Sequence, residues 1–198
     1  MRFDFNIFNL RGSFNLYALG NIRTQGIQNR IKYTPFRVLF IDYDYYKQEW
    51  VEEEINFFIK KYKLGDFILL KTSEKGYHVI CFDVITTELE TEILSLSGCD
   101  ALFKSSNQWD FRSKVLRITE KGNTQSPIFI RIIKSPYNKF RKKSAGHYLF
   151  YKKIFKLRTL LFSKEQLFRC NYHKTIDAKD HIVYEVSCID YPTKNNVK

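Results

Sequence analysis

The hydrophobic pattern is clearest at Val38-Leu39-Phe40-Ile41, an unbroken apolar run preceded by Phe36. A short continuous run of this kind predicts a strand over 36–45 buried on both faces. Residues 1–36 mix Phe and Leu with Asn, Gly and Arg and predict one or two short strands with loops. After the strand, Val51, Ile55, Phe58, Ile59 and Tyr62 recur at helical spacing and predict a helix over 47–64. Glu49, Glu52, Glu53 and Glu54 at its start and Lys60, Lys61 and Lys63 at its end match the helix dipole, and Gly65 is the expected stop. Two strands follow, over 67–72 and 77–84, joined by Ser73-Glu74-Lys75-Gly76. A second helix is expected over 87–97, with Thr87 and Glu90 as a capping box, Leu89, Ile93 and Leu96 as its buried stripe and Gly98 at its end. Strands return over 114–119 and 127–133.

This β-α-β-β-α-β-β order predicts an α+β fold, a mixed sheet with the helices packed on one face. From 134 the pattern changes. Residues 134–144 form a basic, turn-rich loop, and 148–162 mix aromatics with Lys152, Lys153, Lys156 and Arg158. A short capped helix opens at Ser163 with Gln166 completing its box, and 181–189 reads as a final strand. With 198 residues and no internal repeat, the chain reads as a single domain, a core of about 36–135 followed by a basic part of about 136–198.

Composition adds a partner class. The formal net charge is +12 and aromatics make up 17% of the chain. Cations follow phosphates and rings stack on bases, so this balance points to nucleic acid. Lys139, Arg141, Lys142, Lys143, Lys152 and Lys153 are the expected backbone contacts, with Tyr137, Phe140 and Tyr148 as stacking rings. No apolar run approaches a bilayer span, and the N-terminus lacks a secretory signature. Cys81, Cys99, Cys170 and Cys188 show no disulfide-framework spacing, so an intracellular setting away from membranes is expected. Cys170, His173, His181 and Cys188 are four ligand types for Zn²⁺, but their spacing matches no ordinary finger and zinc is not expected.

Three stretches carry candidate chemistry. Asp42 and Asp44 end the apolar strand one residue apart, so alternation aims them the same way. Paired carboxylates repel unless a cation or a shared proton neutralises them, and hard ions such as Mg²⁺ or Mn²⁺ suit oxygen ligands. Thr72-Ser73-Glu74-Lys75-Gly76-Tyr77-His78 offers hydroxyls, a lysine and a glycine in a turn that can wrap a phosphate. Trp109-Asp110 precedes a strand with Leu116-Arg117, and an arginine among apolar neighbours needs an anion.

In this order, the three stretches resemble the motifs of the archaeo-eukaryotic primase superfamily, the primase–polymerases, over about residues 36–120. Asp42-Tyr43-Asp44 is similar to that family's first motif, Thr72 to His78 to its second, and Trp109-Asp110 with Leu116-Arg117 to its third. The resemblance implies an RRM-like, palm-type sheet and a DNA-dependent nucleotidyltransferase of viral or plasmid replication, a primase or polymerase. Asp42, Asp44 and Asp110 would hold two Mg²⁺ or Mn²⁺ ions, with Asp100 the alternative third acid. Thr72, Ser73, Lys75, Gly76, His78 and Arg117 would bind a nucleoside triphosphate. A single-stranded DNA template would be the partner, along with a helicase supplied by another protein.

Two other readings compete. A replication-initiation endonuclease needs two histidines one residue apart on a strand, and His78, His147, His173 and His181 include no such pair. A non-catalytic nucleic-acid-binding protein or replication initiator with a degenerate palm-like site is the alternative that keeps the fold and the charge.

Overall fold

The computed structural model describes residues 2–7, 10–15, 25–105, 114–120, 125–157, 163–176 and 182–189. Strands β1 (Arg2–Ile7) and β2 (Leu10–Asn15) pair antiparallel as a sheet of their own. Everything else is built on one large mixed sheet. Its strands are β3 (Gln25–Lys32), β4 (Phe36–Tyr43), β5 (Phe67–Lys71), β6 (Tyr77–Thr86), β7 (Val115–Arg117), β8 (Ile128–Ile133), β9 (Lys143–Ser144), β10 (Leu167–Phe168), β11 (Cys170–Ile176) and β12 (Ile182–Cys188). Along the main path the order is β10-β9-β6-β4-β3-β12-β11, with β5 bridging β6 to β8 and β7 added to β3. Most pairs are antiparallel; β3–β12 and β9–β10 are parallel.

Strand β4 is central in the way its apolar run requires. Val38, Leu39, Phe40 and Ile41 are all fully buried. Leu39, Ile41 and Tyr43 face one core with α1 (Gln48–Tyr62) and α2 (Thr87–Leu96), through Val51, Ile55, Phe58 and Ile93. Val38 and Phe40 face the other core with α4 (Ala145–Phe155), through Tyr148, Phe150 and Tyr151. Helices therefore cover both faces of the sheet, not one. A strand apolar at every position needs a partner on each side, and α4 supplies the second. It packs so close to β11 and β12 that a Cβ on Gly146 would meet Val186 Cγ1 at 2.8 Å and the Asn171 carbonyl carbon at 3.1 Å.

Several local expectations shift by a residue or a partner. Helix α1 ends on Lys63, which takes the left-handed conformation (φ 54°), rather than at Gly65. Helix α2 is capped by Thr86, whose hydroxyl accepts from the Leu89 N–H at 3.3 Å, not by Thr87 with Glu90. Glu90 is instead fully buried, accepting from Asn29 Nδ2 at 2.5 Å and Arg37 at 3.1 Å. The third helix, α3 (Ala101–Ser105), is short. Near Ser163 a 3₁₀ turn forms over Lys164–Gln166, and β11 is an additional strand. Among the described residues no helix is long and apolar enough to cross a membrane.

Asn29 marks where the sheet opens. Strand β3 pairs with β4 at Arg30↔Arg37, then with β7 from Gln28 to Gly26. At the switch the Asn29 side chain donates to the Val38 carbonyl and accepts from the Lys114 N–H. Strands β4 and β7 thus diverge from a common neighbour, leaving a gap between the C-terminal end of β4 and β7.

Candidate active site

That gap is a cleft of about 310 Å³, lined by Asp42, Asp44, Thr72, Ser73, His78, Val115 and Arg117. It draws on all three stretches singled out from the sequence. Asp42 is the penultimate residue of β4, and Asp44 follows the strand's end. Asp42 pairs in register with His78, the second residue of β6, so the cross-strand geometry brings carboxylate and imidazole together. His78 Nε2 lies 3.5 Å from Asp42 Oδ1, a contact rather than a good hydrogen bond.

The turn between β5 and β6 is closed by the Thr72 N–H donating to the Gly76 carbonyl at 2.9 Å. Glycine leaves room there for two hydroxyls, because a Cβ would meet Thr72 Oγ1 at 2.5 Å and Ser73 Oγ at 2.6 Å and displace them. Thr72 and Ser73 both line the cleft. The side chain of Lys75 is exposed and does not line it; the Lys75 carbonyl accepts from the Tyr46 N–H at 3.0 Å and ties the turn to the segment after Asp44. Arg117 and Val115 alternate with buried Leu116 along β7, so both reach the cleft. The Arg117 guanidinium also donates to the carbonyls of Thr119 and, at 3.3 Å, Gln125.

Burial pushes the Asp42 carboxyl up to about 7, with Asp44 and then Asp100 adding to the push and Arg117 opposing it. Burial, aided by Arg117, takes His78 down to about 3, and its Nδ1 is buried without a hydrogen-bond partner among the described residues. The site therefore holds an acid whose charge is resisted, beside a neutral imidazole with unused capacity. A hard cation against Asp42 and Asp44 would relieve the first of these conditions, and the donor set is the oxygen type that Mg²⁺ and Mn²⁺ take.

The third acid has two candidates, Asp110 and Asp100. Asp110 lies outside the described residues. Asp100 is near: its N–H donates to the Asp42 carbonyl at 2.8 Å, while its Oδ1 accepts from the Phe103 N–H at 2.8 Å at the start of α3. Among the described residues no three His, Cys, Asp or Glu side chains gather into a complete metal site. Cys170 is buried, within 3.1 Å of Ser144 Oγ, and His173 pairs with Glu185 at 3.3 Å; His181 lies outside the described residues.

The expected nucleic-acid contacts divide. Lys139, Lys142 and Lys153 are exposed. Lys139 and Lys142, with Phe140, Arg141, Ser163, Glu165 and Gln166, line a second hollow of about 450 Å³, and the Phe140 ring is 73% exposed. Lys152 is half-buried, its ammonium 5.8 Å from the centre of the Tyr148 ring. Lys143 is not available to a phosphate: it is buried and ion-paired with fully buried Asp83, which also takes Arg141 at 3.1 Å. Tyr148 is likewise no stacking platform, being 2% exposed within the α4 core. Val115 was missed; its alternation with Arg117 on one strand was the available signal.

Comparison with models of known families, with curated proteins and with solved structures finds no match for this chain.

Proposed function

We propose that the protein is a primase–polymerase-type nucleotidyltransferase acting on a single-stranded DNA template. The observation that carries this reading is the convergence of Asp42, Asp44, Thr72, Ser73, His78 and Arg117, from three separated stretches, on one cleft. Asp42 and Asp44, with Asp110 or Asp100, are the residues that would hold divalent cations. Such ions, when bound, supply activation of an attacking hydroxyl and stabilisation of a departing pyrophosphate. The chain's own residues do the rest. Thr72 and Ser73 present hydroxyls, and neutral His78 presents an imidazole, to a polyphosphate. Arg117 supplies fixed positive charge opposite the carboxylates, where developing phosphate charge is best stabilised. Exposed Lys139, Lys142 and Lys153 hold the template backbone.

The test is incorporation of labelled nucleotide on a single-stranded template, with Mg²⁺ and Mn²⁺ and with ribo- and deoxyribonucleotides. The parent protein should incorporate, and Asp42→Asn with Asp44→Asn should lower incorporation by about 10³-fold or more while leaving template binding intact. A parent that binds template but incorporates nothing under any of these conditions is instead a nucleic-acid-binding module.

A further inference from the structure

Among the described residues, four other than glycine adopt positive φ: Tyr33, Tyr45, Lys63 and Lys156. Three have ordinary local reasons. Lys63 and Lys156 are the left-handed caps of α1 and α4, and Tyr33 turns the β3–β4 hairpin. Tyr45 (φ 68°) is neither a helix end nor a hairpin turn; it lies between Asp44 and the start of α1. A bulky residue in this conformation is strained and uncommon, and glycine or asparagine would adopt it at lower cost. Yet the Tyr45 side chain is not compensated by packing. It is 89% exposed, and among the described residues its ring makes no hydrogen bond or aromatic contact.

The strain is held by its neighbours. Tyr43 is fully buried, and Tyr46 packs edge-on against it at 5.6 Å while its N–H is bonded to the Lys75 carbonyl. The Tyr45 backbone is therefore pinned between Asp44, which lines the cleft, and Tyr46, which is tied to the hydroxyl-bearing turn. The residues that line the cleft are polar except for Val115, so phosphates and cations find partners within it.

Resting on the reading of the cleft as a nucleotide site, we infer that Tyr45 is the platform on which the nucleobase of the bound nucleoside triphosphate stacks. Strain retained at an exposed position beside a binding cleft fits a side chain kept for a ligand rather than for the fold. A tyrosine ring supplies a large, rigid face for stacking at little conformational cost.

The experiment compares binding of a nucleoside triphosphate and of inorganic tripolyphosphate, by calorimetry with Mn²⁺ present, to the parent, Tyr45→Gly and Tyr45→Phe. The parent should bind the nucleoside triphosphate more tightly than tripolyphosphate. Tyr45→Gly should lose on the order of tenfold in nucleoside triphosphate affinity with tripolyphosphate affinity unchanged, and Tyr45→Phe should retain both. Because glycine relieves the backbone, the melting temperature of Tyr45→Gly should be equal to or above the parent's. Equal affinities of the parent for the two ligands, an unchanged Tyr45→Gly, or a Tyr45→Gly that melts several degrees lower would each overturn the platform. A parent that binds neither ligand overturns the nucleotidyltransferase reading, and the platform with it.

Discussion

Asp42 and His78 face each other across β4 and β6 at 3.5 Å, with protonation preferences displaced in opposite directions. Asp42 is raised to about 7 by burial and by Asp44, and His78 is lowered to about 3 by burial. Both are neutral over the acidic range between those values, so the pair is not an ion pair at pH 5.

The linkage has a definite sign for each group. A carboxyl raised in the folded state contributes stability that is full below about pH 4 and lost as pH rises through 7. An imidazole lowered in the folded state contributes stability that is full above about 6.5 and lost as pH falls through 3. Between pH 4 and 6.5 the two slopes oppose each other. Asp42→Asn should leave stability rising with pH across that window, and His78→Asn should leave it falling, each by up to about 1.4 kcal/mol per pH unit. Urea midpoints at fixed ionic strength read both slopes; parallel curves for the two variants would refute the assignment.

A cation at Asp42 and Asp44 competes with the proton on Asp42, so cation binding and pH are coupled. Mn²⁺ at about 100 times its dissociation constant should stabilise the protein at pH 8 by about 2.7 kcal/mol, roughly 5–10 °C in melting temperature. At pH 5 the shift should shrink markedly, and the doubly substituted Asp42→Asn, Asp44→Asn protein should show none. Thermal melts with and without Mn²⁺ at the two pH values decide it. An equal shift in the parent and the double variant would place the cation elsewhere.

What the sequence made legible were features whose cause is local. The apolar run Val38–Ile41 specified a doubly buried strand, and the helical spacing of Val51, Ile55 and Phe58 specified α1. Strand alternation by itself aligned only Asp42 with Asp44, and it was the resemblance in motif order that implied a shared site for Asp42, His78 and Arg117. Features set by distant partners were not legible. Lys143 looked like one more cation in a basic run because Asp83, which buries it, lies 60 residues earlier. Glu90 looked like a capping residue because Arg37, 53 residues away, is what it serves. Helix α4 did carry a stripe at Tyr148, Tyr151 and Phe155, but interleaved lysines masked it as a basic surface segment.

The Asp83 cluster should therefore report on stability rather than on nucleic acid. Asp83 is fully buried and accepts from Lys143, from Arg141 at 3.1 Å and from the Gly65 N–H at 2.8 Å. Removing Lys143 leaves the buried Asp83 charge to Arg141 and the Gly65 N–H, less fully compensated in the interior. Lys143→Met should cost about 3–5 kcal/mol in urea unfolding. Folded Lys143→Met should bind single-stranded DNA as the parent does. A stable variant with weakened binding would return Lys143 to the template path.

The exposed lysines make the complementary case. Lys139, Lys142 and Lys153 carry their charges at the surface, and Lys139 and Lys142 flank the exposed Phe140 ring. If each neutralises one phosphate, each releases condensed counterions on binding and adds about 0.7 to the salt slope for a single strand. Replacing all three by Ala should reduce the slope of log K against log salt by about 2, while unfolding free energy moves by no more than about 0.5 kcal/mol for each substitution. Phe140→Ala, by contrast, should weaken binding by a similar factor at every salt concentration, because stacking releases no counterions. Binding isotherms to a labelled single-stranded oligonucleotide across a salt series separate the two behaviours. A triple variant with the parent's slope would show that these lysines do not meet the phosphates, and a Phe140→Ala change confined to low salt would assign the ring an electrostatic rather than a stacking role.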